Sequence, residues 1–128
     1  MSNNTDKLFK KRFIVRKQDL ANRVGSGTAP VLSSPSLLGF IEDTCMDSIK
    51  YILNSSVNNG NTCVGVKSEF YHLKPTCEGN VVEIQSRLIF IEKNSKLHFK
   101  VEAYEGEKLI ATCDHLRYLV PEDFYKIV

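Results

Sequence analysis

The chain has 128 residues, 42% hydrophobic and 25% charged, which is enough for the core of one ordinary soluble domain. Its 17 basic and 15 acidic residues leave a net charge of +2, too small to favour a nucleic-acid partner or an acidic membrane surface. With no signal-peptide pattern, no apolar run near about 18 residues, and four cysteines in neither a C-x-x-C pair nor a zinc-ligand spacing, the expectation is a cytoplasmic protein with reduced thiols, no membrane segment, no metal and no cofactor.

Residues 1–7 are polar and expected to be disordered. Phe9–Lys17 sets Phe13 and Val15 against charges and predicts a strand, in which Lys10-Lys11-Arg12 reads as a solvated edge. Val24–Ser33 is rich in Gly, Ser and Pro and predicts a loop long enough to act as a lid or entrance. Ser34–Leu53 then reads as one helix, with Ser34 as its N-cap and Pro35 in the first turn. It ends in the breaker cluster Asn54–Asn61.

At 100° per residue, Leu37, Ile41, Ile52, Cys45, Leu38, Ile49, Leu53 and Met46 fill one apolar arc of this helix. Only Ser48 and Glu42 interrupt it, while Asp43, Asp47 and Lys50 form the solvated side. A carboxylate inside such an arc is costly to bury alone. Glu42 is therefore either a rim residue or member of a core pair, or a carboxylate placed to act as base or nucleophile.

Four strands follow. Thr62–Leu73 aligns Val64, Val66, Ser68, Phe70 and His72 on one face, with Lys67 and Glu69 on the other. Lys74–Gly79 predicts a turn. Asn80–Glu92 sets Val82, Ile84, Leu88 and Phe90 against Glu83, Gln85 and Arg87. Lys96–Tyr104 points Leu97, Phe99, Val101 and Ala103 inward, and Lys108–Val120 closes the chain. Short turns imply an antiparallel meander. A sheet and a helix with one apolar face each should pack together, giving a single α+β domain.

The two inner faces each carry an out-of-place ionisable group, His72 on the sheet and Glu42 on the helix, so the pair could share a pocket. His98 has outward parity, and His115 stays open because its strand alternates unclearly. Ser34 is either a cap alone or a hydroxyl at the helix mouth, two turns before Glu42. Gly39 and Gly65 sit in mid-element, where glycine is tolerated if a backbone or ligand comes close, and either could offer an N–H to an oxyanion.

Three segments carry a resemblance: Val31–Cys45 (VLSSPSLLGFIEDTC), Gly65–Gly79 (GVKSEFYHLKPTCEG) and Phe99–Val120 (FKVEAYEGEKLIATCDHLRYLV). In order and spacing, over about residues 8–120, the chain resembles the hotdog fold, a long central helix wrapped by a five-stranded antiparallel sheet. Within that fold it is similar to the fluoroacetyl-CoA thioesterase-like group of acyl-CoA thioesterases. The resemblance implies a catalytic hydroxyl at Ser34, a catalytic carboxylate at Glu42 and a catalytic histidine at His72. It further implies a Gly65 N–H on the thioester oxygen, Arg117 beside the site as support, and an acyl-CoA substrate, while an expected pocket wall of Leu37, Leu38, Ile41, Phe70 and the loop fits short or medium acyl groups. It implies a homodimer, or a dimer of such dimers, with sites at the interface.

Two departures matter. Ser34 stands where the compared family member has threonine, which keeps the hydroxyl and loses the methyl. Val24–Ser33 has no aromatic residue, unlike the acyl pocket of the fluoroacetyl-specific relative, so that specificity does not transfer. The alternative is a non-catalytic module of the same fold that binds acyl-CoA or another apolar ligand. A hydratase is weaker, because Glu42 and His72 lie on different elements.

Overall fold

The computed structural model describes residues 7–53 and 60–127. Five strands build one antiparallel sheet: β1 (Leu8–Ile14), β2 (Asn61–His72), β3 (Val81–Glu92), β4 (Lys96–Glu105) and β5 (Lys108–Pro121). The helices are the single turn α1 (Ala21–Val24), the long α2 (Ser34–Ser48) and a last turn α3 (Lys50–Leu53). α2 lies on the inner face of the sheet and touches β1, β2, β3 and β4. This is the expected hotdog arrangement. No helix among the described residues is long and apolar enough to cross a membrane. Of the stretch 1–7 expected to be disordered, residues 1–6 lie outside the described residues, as does most of the breaker cluster at 54–61.

The core is the meeting of the two apolar faces. Leu37, Ile41, Cys45 and Ile49 of the helix are fully buried with Val82, Ile84, Leu97, Phe99, Val101 and Ala103 of the sheet. The solvated side of α2 is also tied down: Lys11 on β1 bridges Asp43 at 2.6 Å and Asp47 at 2.7 Å. Phe13 stacks on Phe40, with ring centroids 4.4 Å apart.

The strand order is β1-β3-β4-β5-β2, which corrects the expected four-strand meander. Only β3-β4-β5 run as neighbours through short turns. β2 pairs with β5, so residues 73–80 cross to the far side of the sheet rather than turning a hairpin. β2 and β1 are left as the two edges.

Two bulges correct the expected facing of single side chains. The register of β2 slips between Gly65 and Lys67. Upstream of the slip the buried Cys63 and Gly65 face the helix, not Val64 and Val66, and Val66 is 48% exposed. Downstream, Ser68, Phe70 and His72 keep their expected inward direction. A second slip between Leu88 and Phe90 turns Phe90 outward, where it stacks on His98 at 4.1 Å. An extra residue in one strand reverses every later side chain, and a plain alternation cannot see it.

The helix also differs at both ends. Its N-cap is Ser33, whose hydroxyl accepts from Ser36 N at 3.2 Å, and Ser34 is the first helical residue. The expected single helix to Leu53 breaks at Ile49 (φ −112°, ψ 13°), beside Ser48, which returns its hydroxyl to the Cys45 carbonyl at 2.7 Å. The entrance loop is shorter than expected because its ends are pinned. Ala21 N donates to Val31 O, Leu32 N to Thr76 O and Ser33 N to Asp19 O, each at 2.8 Å.

Candidate active site

Five of the six site residues expected from the sequence fall into two clusters, set against different heights of α2, and Gly39 lies in neither. The first is at the helix entry. Because Ser33 takes the capping role, the Ser34 hydroxyl is free to turn to β2, and its Oγ lies 2.8 Å from His72 Nδ1. Burial lowers the His72 pKa below the usual imidazole range, opposed by a backbone hydrogen bond to Lys74, so the ring is neutral at pH 7. Its Nε2 is buried with no partner among the described residues. Whichever tautomer the Ser34 bond selects, one ring nitrogen keeps an open hydrogen-bonding position.

The second cluster surrounds Gly65 on β2, beside Glu42, which lies eight residues after Ser34 on α2, about 12 Å of helix rise away. A Cβ at Gly65 would stand 3.2 Å from Glu42 Oε2, 3.3 Å from Arg117 Nη1 and 3.3 Å from His115 Cε1. Such separations are tighter than ordinary packing, so a side chain here would have to push Glu42, Arg117 or His115 aside by a few tenths of an ångström. The missing side chain of Gly65 is the notch in which carboxylate, guanidinium and imidazole converge.

Glu42 takes the rim position that was one of its two readings: it is exposed, while Cys45 and Ile49 beside it on the arc are fully buried. The notch opens the sheet above that stretch of helix, so the wheel position is apolar but the place is open to water. Gly39 is exposed too, and a Cβ there would meet nothing, so no contact in the single chain calls for glycine. The expected shared pocket of Glu42 and His72 is not closed within one chain: no hydrogen bond or ion pair joins the two clusters among the described residues.

Behind Gly65, Arg117 and His115 are 7% and 2% exposed. Arg117 Nε donates to Cys63 Sγ at 3.0 Å, Nη2 to Cys63 O at 3.2 Å, and Nη1 to His115 Nε2 at 3.0 Å. His115 Nδ1 lies 2.7 Å from Ser68 Oγ. Burial first, and the Arg117 cation second, push the His115 pKa down to about 4. Burial likewise raises Cys63, so the sulfur beside Arg117 is a thiol. All four cysteines are free, and Cys45 is an inert core thiol, its pKa pushed by burial up to about 12. His115 is the site residue that sequence reading left open. Its signal was the i, i+2 spacing to Arg117, which on a strand puts both on one face.

The model of a family described as fluoroacetyl-CoA-specific thioesterase, FlK, matches residues 15–123. Among solved structures, a mutant of the fluoroacetyl-CoA-specific thioesterase FlK superposes with a TM-score of 0.87 at 19% identity, covering 99% of this chain and 95% of that one. A FlK mutant in complex with fluoroacetate and CoA gives 0.84 at 20%, covering 94% and 98%. A thioesterase superfamily member from Thermus thermophilus, TTHA0967, gives 0.84 at 20%, covering 99% and 91%. At these identities the structural likeness shows the fold. No curated protein matches the chain.

Proposed function

The chain belongs to the fluoroacetyl-CoA-specific thioesterase family and is a thioester hydrolase, and on that premise we propose that it cleaves a short or medium acyl-CoA to the free acid and coenzyme A, with Glu42 at the centre of the reaction. The observation that carries this reading is the notch at Gly65, where the Glu42 carboxylate faces the Arg117 guanidinium across an absent side chain. A nucleophile or base stands there beside a fixed positive charge, as hydrolysis of a thioester carbonyl requires. Structures of FlK mutants holding fluoroacetate with CoA, and acetyl-CoA, support a CoA thioester as the substrate class.

Glu42 Oε2 either attacks the carbonyl carbon or takes a proton from water that does so. Direct attack expels the CoA thiolate and leaves a mixed anhydride, which water then opens. The Gly65 N–H and the Ser34 hydroxyl serve the carbonyl oxygen. His72, through its unpartnered nitrogen, orients water or protonates the departing sulfur. No step calls for a metal or a cofactor. The acyl group would lie against the partly buried Leu38 and Phe70, since Leu37 and Ile41 are fully buried in the core.

The two clusters meet in a homodimer. β2 is an edge strand, and antiparallel pairing of two β2 edges about an axis beside Ser68 and Glu69 would lay His72 of one copy opposite Gly65 of the other. Ser34 and His72 of one subunit would then complete the Glu42 notch of its neighbour. Four free thiols fit a cytoplasmic setting.

The test is free-thiol release from acyl-CoAs of graded length by wild type and Glu42→Gln in parallel. The expected result is turnover by wild type and a kcat about 10²–10⁴-fold lower in the variant, with substrate binding little changed. Full turnover by Glu42→Gln would remove Glu42 from the chemistry. Binding without turnover by either protein would make the chain an acyl-CoA-binding module.

A further inference from the structure

We infer that His115 is a positioning residue, which with Ser68 fixes the Arg117 guanidinium so that its one uncommitted hydrogen points into the Gly65 notch. The inference rests on the proposed reading of Glu42 and Gly65 as the reacting centre.

A guanidinium carries five N–H donors and no acceptor, and it stays protonated. The Nε hydrogen goes to Cys63 Sγ. The two on Nη2 face Cys63 O at 3.2 Å and Met46 Sδ at 3.9 Å. One on Nη1 goes to His115 Nε2. The remaining Nη1 hydrogen belongs to the nitrogen that stands 3.3 Å from the vacant Cβ position of Gly65. Arginine only donates, so His115 Nε2 must be the bare nitrogen and Nδ1 must carry the proton. That proton is donated to Ser68 Oγ at 2.7 Å. The tautomer follows from the chain of bonds.

Every acceptor around Arg117 is neutral, and no ion pair joins it to a carboxylate among the described residues. A buried cation whose hydrogen bonds all go to neutral groups keeps its charge unneutralised by them. Its remaining Nη1 hydrogen faces the notch, which it shares with the Glu42 carboxylate and where negative charge develops as the thioester carbonyl is attacked. Among the acceptors, only His115 shares the nitrogen that faces the notch. Losing it removes the one hydrogen bond that holds Nη1 itself in place, while both Cys63 bonds remain.

The experiment uses His115→Phe, which keeps the bulk and removes the acceptor, and His115→Gln, whose amide oxygen can accept from Arg117. Steady-state kinetics on the acyl-CoA that wild type turns over best are measured alongside thermal melting. The expected result is a kcat up to about 10²-fold lower for His115→Phe, with KM little changed, and recovery of most of that loss by His115→Gln. A wild-type kcat in His115→Phe overturns the inference. So does a loss that follows the melting temperature equally in both variants, which is the mark of a purely structural role.

Nitrogen NMR on the same folded proteins separates this from failure of the thioesterase reading. If wild type hydrolyses no acyl-CoA, the proposed function fails, and the spectra decide the positioning. A proton on His115 Nδ1 and slowly exchanging Arg117 Nη1 hydrogens that vanish in His115→Phe support it. A proton on Nε2, or Arg117 signals indifferent to the substitution, overturns it.

Discussion

At the scale of single residues, Glu42 is exposed at an apolar angle of its helix, and His115, whose side the strand pattern left open, is buried. Glu42 lies at an apolar angle of the helix yet stays open to water, because Gly65 removes the wall that would bury it. His115 is the ionisable group that is buried, and the fold holds it neutral with a pKa near about 4, by burial and by the Arg117 cation. Stability therefore depends on pH in a definite direction. The unfolded chain gives His115 its ordinary value of 6.5 and takes up a proton that the folded chain refuses. The stabilisation is complete above that value and is lost as pH falls through the window toward about 4. His72, also lowered by burial, acts in the same sense. Denaturant titrations from pH 7 to pH 4 should show stability falling with acid, with a shallower slope in His115→Phe than in wild type. Equal slopes would mean that His115 is protonated as readily in the fold as outside it.

At the scale of the element, two adjacent serines divide the work at the entry of α2. Ser33 is 2% exposed and caps the helix, while Ser34 is exposed and bonded to His72. Ser33→Ala should cost about 0.5–2 kcal/mol of stability. Ser34→Ala should leave the melting midpoint nearly in place and lower kcat. Parallel melting and thiol-release assays on the two variants check the division, and a reversed pattern would return the cap to Ser34. Sequence placed this helix start within one residue. A residue is what separates a cap from a side chain free for chemistry, and capping preference does not distinguish two serines in a row.

At the scale of the whole molecule, the two site clusters lie two helical turns apart, and a symmetric dimer is the proposed way to bring them together. Subunit mixing tests it directly. Glu42→Gln and His72→Ala should each be nearly inactive as homodimers. If each site takes Glu42 from one copy and His72 from the other, a mixed dimer has one intact site, so mixing should restore up to about a quarter of wild-type activity. No recovery after exchange is verified by mass would place both residues of a site in one chain. The exposed edge of β2, with Val66 48% exposed beside its bulge, is where the contact should protect backbone amides from exchange.

Local patterning carried the class of the fold. Alternation in β3 and β4 and the apolar arc of Leu37, Ile41, Cys45 and Ile49 are properties of neighbours in sequence, and burial obeyed them almost residue for residue. The spacing of Ser34, Glu42, Gly65 and His72 was legible for the same reason, since each lies on one element at a countable position. Strand order was not, because the pairing of β2 with β5 depends on where residues 73–80 lead the chain, and a short polar segment is equally suited to a turn or a crossing. The bulges at Val66 and Ile89, the role of His115 and the openness of Glu42 were likewise decided by tertiary structure. Each depends on what stands opposite a residue across the sheet, and sequence order carries no record of that.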